Sequence, residues 1–151
     1  MENLVFFGKM YGLDHPQESA LAVLEDVGLA FRRNDQVRTF SRGMLQRLSI
    51  ARAILHNPSI LFLDEPFTGL DIHASNVLKE HLQTLHDNKR TILMTTHDIS
   101  CGLEMCDKVA LQVMGKFAFF KDIKDVDKEN FEALYFDAVR NNQFTMDIRP
   151  N

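Results

Sequence analysis

The chain has 151 residues, of which 45% are hydrophobic and 25% charged, and its formal net charge is −4. These values are ordinary for one soluble globular domain and exclude a disordered chain. Acidic and basic residues are interspersed, so the charge pattern offers no surface that would attract nucleic acid. The longest apolar runs, such as Ile60 to Leu63, are far shorter than the stretch of about 20 residues that crosses a bilayer.

The N-terminal residues and the two cysteines exclude further classes. Met1-Glu2-Asn3-Leu4 lacks the basic stretch and the apolar run of a secretion signal, so we expect the chain to remain in the cytoplasm. Cys101 and Cys106 have no second pair and no histidine at zinc-ligand spacing. They therefore indicate neither a metal site nor a disulfide framework.

Two short helices are predicted at the N-terminal end. Residues 2–11 are typical of a helix that Gly12 ends, and Pro16 is typical of a helix start. Apolar residues then recur every three or four positions up to Gly28. The two segments predict a small helical hairpin.

A third helix is predicted after Ser41, whose hydroxyl suits the N-cap position. Its apolar stripe ends at Asn57-Pro58 and consists of Met44, Leu48, Ala51 and Leu55. The helix opens with a hydroxyl and a glycine. Its free N–H groups and its dipole would therefore favour a phosphate.

Two parallel strands are predicted after this helix. Residues 60–63 form an unbroken apolar run, which suits a strand that is buried on both faces of a parallel sheet. A helix striped by Leu78, Leu82 and Leu85 separates this run from a second apolar strand at residues 91–95. The alternation of helices and strands predicts an α/β fold.

The C-terminal part changes character. Residues 108–113 and 116–120 flank a Met114-Gly115 turn, which predicts a β-hairpin. The stripe of a final helix consists of Phe131, Leu134, Tyr135 and Ala138.

Candidate chemistry lies where the first predicted strand ends. Asp64 and Glu65 follow it, and ligands of open α/β sheets bind outside the carboxyl ends of the strands. His97 follows the next strand, so we expect its ring at the same edge. Each signal has a structural alternative when taken singly: Ser41 and Asp71 can cap helices, the two acids can cap a turn, and His97 can be a core histidine.

Together, these segments resemble the ATP-binding-cassette (ABC) ATPase family over essentially the whole chain. Residues 60–66 resemble its Walker B strand with the catalytic glutamate, Thr68-Gly69-Leu70-Asp71 its D-loop, and His97 its switch histidine. Ser41-Arg42-Gly43-Met44, here termed the signature segment, takes the place of a sequence that usually reads Ser-Gly-Gly-Gln. The arginine and the methionine fit either a degenerate site or a variant found in bacterial exporter ATPases, and we favour the variant.

The resemblance implies a role for each residue. Asp64 would hold Mg²⁺ through a water, since a hard cation prefers oxygen ligands. Glu65 would be the general base for the attacking water. His97 would sense the γ-phosphate and help to hold the water in line. Asp71 would act across a dimer interface. The signature segment, with Ser41 and Gly43 at the γ-phosphate, would bind ATP held by the opposite subunit in a homodimer or heterodimer of cassettes.

The implied fold is a P-loop-NTPase-like ABC ATPase fold that is incomplete. A helical subdomain with the signature segment would span residues 1–57. The Walker B part of a mainly parallel sheet, a hairpin and a final helix would span residues 58–151. The phosphate loop, Gly-x-x-x-x-Gly-Lys-Ser/Thr, does not occur, because Met10 and Phe117 follow the two Gly-Lys pairs. We therefore expect a truncated cassette that does not hydrolyse ATP alone.

The implied function is that of the ATP-binding and ATP-hydrolysing subunit of an ABC transporter, with ATP and Mg²⁺ as cofactors. It would bind transmembrane permease subunits at the cytoplasmic face of the cell membrane and power export. Residues 37–52 and 65–71 look most like the ATPase of the haem exporter of cytochrome c biogenesis. One alternative is a soluble ABC protein of DNA repair or translation, although the sequence lacks the coiled-coil or basic segments it would need, and we expect no nucleic-acid partner. The other is a non-catalytic remnant that regulates a full cassette.

Overall fold

A computed structural model describes residues 1–87 and 90–141 of the chain. It divides into two compact units, Met1–Thr96 and His97–Asn151, each described by itself. The helices of the described residues are α1 (Glu2–Met10), α2 (Pro16–Asp26), α3 (Arg42–Ile54), α4 (Ile72–Asp87), α5 (Ile99–Met105) and α6 (Phe131–Asn141). The strands are β1 (Ile60–Asp64), β2 (Thr91–Thr95), β3 (Lys108–Val113) and β4 (Lys116–Asp122), and short 3₁₀ helices lie at Ala30–Arg32, Val37–Thr39 and Ile123–Asp125.

The predicted helical hairpin is confirmed by α1 and α2. Gly12 joins them in a left-handed conformation, at a φ of 72° that few other residues adopt readily. The two helices approach so closely that a Cβ added to Gly8 would lie 2.9 Å from the Cβ of Pro16. Leu4 and Ala20 are fully buried. Among the described residues, no helix is both long and apolar enough to cross a membrane.

A cationic side chain joins the end of α2 to α3. The half-buried Arg47 donates hydrogen bonds to the carbonyl oxygens of Val27, at 3.2 Å, and Gly28, at 3.4 Å. His81 of α4 lies at the same point, because a Cβ added to Gly28 would lie 3.0 Å from its Nε2. Burial, followed by the charge of Arg47, lowers the pKa of His81. Helices α2, α3 and α4 therefore meet at the C-terminal end of α2, where the carbonyl groups need hydrogen-bond donors.

The predicted parallel pair is confirmed, because β1 and β2 run parallel from Ile60↔Thr91 to Asp64↔Thr95. The two faces of this pair differ. Leu61 and Leu63 are buried, whereas Ile60, Phe62 and Leu93 are 53%, 71% and 57% exposed. The prediction that residues 60–63 are buried on both faces is wrong. Alternate side chains of a strand point to opposite faces, and the described residues cover one face of this pair.

The second unit contains the predicted hairpin and final helix. β3 and β4 pair antiparallel. Met114 and Gly115, at the turn between them, both have a positive φ, as a type I′ hairpin turn requires. Phe131 of α6 is 4% exposed. Its ring contacts that of Phe119 edge to face at 5.7 Å, so α6 packs on the hairpin.

Candidate functional site

Asp64 is the last residue of β1 and lies at the carboxyl edge of the parallel pair, as predicted. Its side chain is exposed on the open face of the sheet, the same face as Phe62. Its Oδ1 accepts a hydrogen bond from the hydroxyl of Thr95, its register partner on β2. The carboxylate is therefore oriented by the neighbouring strand while remaining open to a ligand.

Glu65 adopts a left-handed backbone conformation with φ of 46°, which is unusual for a residue with a long side chain. This conformation costs about 1–2 kcal/mol outside glycine. The Glu65 N–H donates to the carbonyl of Thr95 at 3.1 Å, and its own carbonyl accepts from the N–H of Thr68 at 3.2 Å. The Thr68 hydroxyl also donates to Oε2 of Glu65 at 3.2 Å. The chain thus reverses sharply at Glu65, and Thr68 holds the carboxylate.

The turn that follows Glu65 leads into α4. Gly69 is left-handed at a φ of 71°, and the N–H of Leu70 donates to the carbonyl of Phe67 at 3.1 Å. Asp71 caps α4, because its Oδ1 accepts from the N–H of Ala74 at 2.7 Å. The helix-cap alternative for Asp71 is therefore confirmed. Its action across a dimer interface stays a prediction.

The signature segment opens α3. Ser41 is the N-cap, since its hydroxyl accepts from the N–H of Met44 at 3.3 Å. Arg42 is exposed, and its guanidinium lies over Gly69 of the following turn. The predicted helix start and its serine cap are confirmed. Binding of ATP by Ser41, Arg42, Gly43 and Met44 stays a prediction.

Gly43 makes the closest approach between the signature segment and α4. It is buried, and a Cβ added to it would lie 2.9 Å from the Cβ of Ala74 and 3.8 Å from Cδ2 of Leu70. A larger residue would push the two helices apart. The structure therefore brings the start of α3 against the turn that carries Asp71, within one chain.

His97 is the first residue of the second unit and is exposed. The core-histidine alternative is therefore wrong. The next residue, Asp98, caps α5 by accepting from the N–H of Cys101 at 2.9 Å. Asp64 and Glu65 belong to the first unit, and the convergence of His97 with them stays a prediction.

Two threonines that contact the carboxylates were not predicted. Thr95 donates to Asp64, and Thr68 donates to Glu65. The register of a parallel pair would have identified Thr95 as the neighbour of Asp64. The spacing of three residues within a turn would have identified Thr68.

Asp64 has the chemistry to hold Mg²⁺. Its exposed carboxylate supplies a hard oxygen donor, and proteins commonly bind Mg²⁺ through one or two carboxylates together with water and substrate phosphates. A single strand-edge aspartate therefore fits a magnesium ion that takes its other ligands from a nucleotide and from water.

Comparison with known proteins finds relatives among the ATP-binding proteins of ABC transporters. Residues 2–68 match the family described as ABC transporter. The chain is 38% identical over 117 residues to the linearmycin resistance ATP-binding protein LnrL of Bacillus subtilis, covering 76% of this chain and 38% of that protein. It is 38% identical over 122 residues to the ABC transporter ATP-binding protein NatA of the same organism, covering 78% and 49%.

Solved structures show the same fold. MJ1267, an ATP-binding cassette of an ABC transporter, superimposes with a TM-score of 0.72 at 21% identity, over 82% of this chain and 50% of that chain. The chain has part of the fold of an ABC transporter ATP-binding domain. A second cassette, cbiO1 from Clostridium perfringens, matches this partial ABC fold with a TM-score of 0.71 at 25% identity, over 84% and 51%.

The chain spans about half or less of the length of the relatives it matches, since it covers 38% of LnrL and 49% of NatA. Other relatives differ in cargo. They include a fluoroquinolone export protein of Mycobacterium tuberculosis, at 39% identity over 76% of this chain and 38% of that protein. None of the relatives named here is a haem exporter, so the haem-export prediction receives no support from them.

Proposed function

We propose that this chain supplies the hydrolytic residues and the signature segment of an ABC transporter ATPase, which uses ATP and Mg²⁺ to power export. The observation that carries the proposal is the strand edge. There, a strained Glu65 is held by Thr68 directly beside Asp64, which is oriented by Thr95. Residues in sparsely populated conformations cluster at functional sites, where the surrounding structure enforces them.

Glu65 would accept a proton from the water that attacks the γ-phosphate. Glu65 is half-buried as a residue, and its carboxylate accepts a hydrogen bond from the Thr68 hydroxyl, so it can hold one orientation toward a water. Asp64 would hold Mg²⁺, which when bound neutralises charge that develops on the phosphates. His97 would orient the phosphate and the water. Phosphoryl transfer needs such positioning more than it needs covalent chemistry.

The signature segment would act on ATP held by a second cassette. Ser41 and Gly43 stand at the N-terminus of α3, where helix N–H groups favour a phosphate. The contacts of Gly43 with the turn before α4 place Asp71 near this helix end. ATP would therefore lie between two cassettes, each supplying carboxylates to one nucleotide and a signature segment to the other.

Export is supported by the names of relatives, whereas binding to transmembrane permease subunits at the cytoplasmic face of the membrane is what the resemblance to ABC ATPases implies. The relatives include the Nod factor export ATP-binding protein I of Cupriavidus pinatubonensis, at 40% identity over 109 residues. An aliphatic sulfonates import protein of Rhodococcus jostii is 43% identical over 101 residues, so the relatives include an importer as well as exporters. Haem export rests on the likeness of residues 37–52 and 65–71 alone.

A chimeric cassette tests the proposal. The part of NatA that precedes its matching region is fused to Met1 of this chain, so that a phosphate loop is supplied. We expect the chimeric cassette to hydrolyse ATP with Mg²⁺. Glu65→Gln should lower the rate by about 10²–10⁴-fold, the usual contribution of a general base. The matched control is Glu18→Gln, which changes an exposed carboxylate of α2.

Two outcomes would count against the proposal. One is a chimeric cassette that unfolds cooperatively like NatA but shows no ATP hydrolysis, which would favour the regulatory alternative. The other is hydrolysis that Glu65→Gln leaves at the rate of Glu18→Gln. The chain of 151 residues, assayed alone, is expected to show no turnover.

A further inference from the structure

We propose that Arg42 is a positioning residue for Glu65. Its guanidinium rests on Gly69, holds the turn of residues 65–71 against α3, and thereby fixes the Thr68 hydroxyl that orients the Glu65 carboxylate. The catalytic importance of this contact rests on the function proposed above, whereas the contact itself does not.

The first step is the contact between Arg42 and Gly69. A Cβ added to Gly69 would lie 2.7 Å from Nη2 of Arg42 and would overlap its Nη1 and Cζ. The guanidinium therefore occupies the space that a side chain at position 69 would need. A side chain at position 69 would have to displace the guanidinium, and the φ of 71° separately favours glycine there.

The second step leads from Gly69 to Glu65. Thr68 precedes Gly69 in the chain, and its N–H and its hydroxyl both donate to Glu65, to the carbonyl oxygen and to Oε2, at 3.2 Å each. A shift of Gly69 therefore moves both hydrogen bonds that Thr68 makes to Glu65. The turn is short enough that a constraint at residue 69 acts on the carboxylate.

The third step is that the start of α3, which carries Arg42, is held in place by its neighbours. Ser41 caps α3 through the N–H of Met44, and Gly43 packs against Ala74 with no room for a Cβ. Arg42 lies between these two fixed points. Its side chain therefore extends from an anchored helix start to the turn.

This contact explains why an arginine stands in the signature segment. A cation in the first turn of a helix opposes the helix dipole, so α3 gains nothing from it electrostatically. The usual glycine of the signature sequence has no side chain and cannot reach Gly69. The departure at position 42 is therefore a structural substitution that secures the turn, and not a sign of decay.

The experiment uses the 151-residue chain without nucleotide. Hydrogen exchange is followed at the N–H groups of Thr68 and Leu70, and the ¹³Cδ chemical shift of Glu65 is recorded. In Arg42→Ala, we expect about tenfold faster exchange at both turn amides and a moved Glu65 signal, with the Met44 amide unchanged, because local opening exposes the turn alone. Arg42→Lys should restore most of both readouts, and Arg38→Ala, an exposed arginine before α3, should change neither.

Gly69→Ala completes a double-mutant cycle. In the wild type the new methyl group displaces the guanidinium, whereas in Arg42→Ala there is no guanidinium to displace. The effects of the two substitutions on the Glu65 signal should therefore be non-additive. Additive effects would overturn the proposal. So would faster exchange spread equally over α3, because this would show general destabilisation.

The chimeric cassette separates this proposal from the proposed function. Arg42→Ala should lower kcat for ATP hydrolysis with KM unchanged, and a raised KM at constant kcat would overturn the positioning role in favour of direct ATP contact. If the chimeric cassette is folded but inactive while the cycle is non-additive, the proposed function fails and the contact of Arg42 with Gly69 stands.

Discussion

The two faces of the β1–β2 pair differ more in burial than their similar apolar residues suggest. On one face Leu61 and Leu63 are 3% and 9% exposed, whereas on the other Phe62 is 71% exposed. All three residues belong to the same apolar run. Parallel sheets are usually covered on both faces, so the open face is where the described residues depart from an ordinary α/β arrangement.

The difference in burial shows which face of the β1–β2 pair is packed by residues of this chain. The buried face belongs to a core built by residues of this chain, and its energetics should be measurable in the chain alone. The open face ends in the polar pair Asp64 and Thr95, beside the exposed Phe62 and Leu93. The Asp64 carboxylate therefore stands at the end of the face of the sheet that the described residues leave uncovered.

The largest effect should come from the buried face. Leu61→Ala should lower the free energy of unfolding by about 2–5 kcal/mol, because it removes buried apolar surface and leaves a cavity. Phe62→Ala, on the open face, should change it by less than about 0.5 kcal/mol, since an exposed ring loses few contacts. Urea unfolding of the chain measures both. Equal losses would show that the two faces are equally packed.

A smaller change in the free energy of unfolding, of opposite sign, is expected at Glu65, directly after β1. Glu65→Gly should raise the free energy of unfolding by about 1 kcal/mol, because glycine adopts the left-handed conformation without the cost that other residues incur. The same substitution should abolish ATP hydrolysis in the chimeric cassette. Thermal unfolding measures the first effect. A loss of stability would mean that the Glu65 side chain contributes more through its contacts than its backbone costs.

The smallest effect concerns the packed helices and depends on pH. Burial and the Arg47 charge lower the pKa of His81, outweighing the carboxylates of Glu80 and Asp26 and the carbonyl of Asp26, which raise it. The unfolded chain therefore binds this proton more tightly, so the contribution of His81 to stability is present above the usual pKa of 6.5 and is lost as the pH falls below it.

The measurement is the free energy of unfolding across this range. His81→Gln should flatten its decline between pH 6.5 and more acidic values. His73→Gln, an exposed histidine of the same helix, is the control and should leave the slope unchanged. An unchanged slope in His81→Gln would show that the ring is as well hydrated in the folded chain as in the unfolded one.

Local patterns in the sequence predicted the elements well. The apolar stripes predicted α2 and α3, and the turn at Met114-Gly115 predicted the hairpin, because these depend on neighbouring residues. The prediction that both faces of β1 are buried was wrong, because an apolar run does not specify which residues cover each face. The α5 helix was not predicted, since seven residues provide too little periodicity.

The site was predictable in part for the same reason. Asp64 and Glu65 were located by their position after a strand, which is a local property. The contact of Thr95 with Asp64 depends on strand register, which joins residues 31 positions apart. The contact of Arg42 with Gly69 depends on the path of a turn. The positive φ of Glu65 could not be predicted, because glutamate gives no signal for a left-handed conformation.

We propose that two copies of this site enclose ATP, with the carboxylates of one cassette facing the signature segment of the other. Analytical ultracentrifugation of the Glu65→Gln chimeric cassette tests it most directly. With ATP and Mg²⁺, we expect a dimer that is absent without nucleotide, because ATP is bound but not hydrolysed. A folded chimeric cassette that binds ATP and remains a monomer at saturating nucleotide would contradict it.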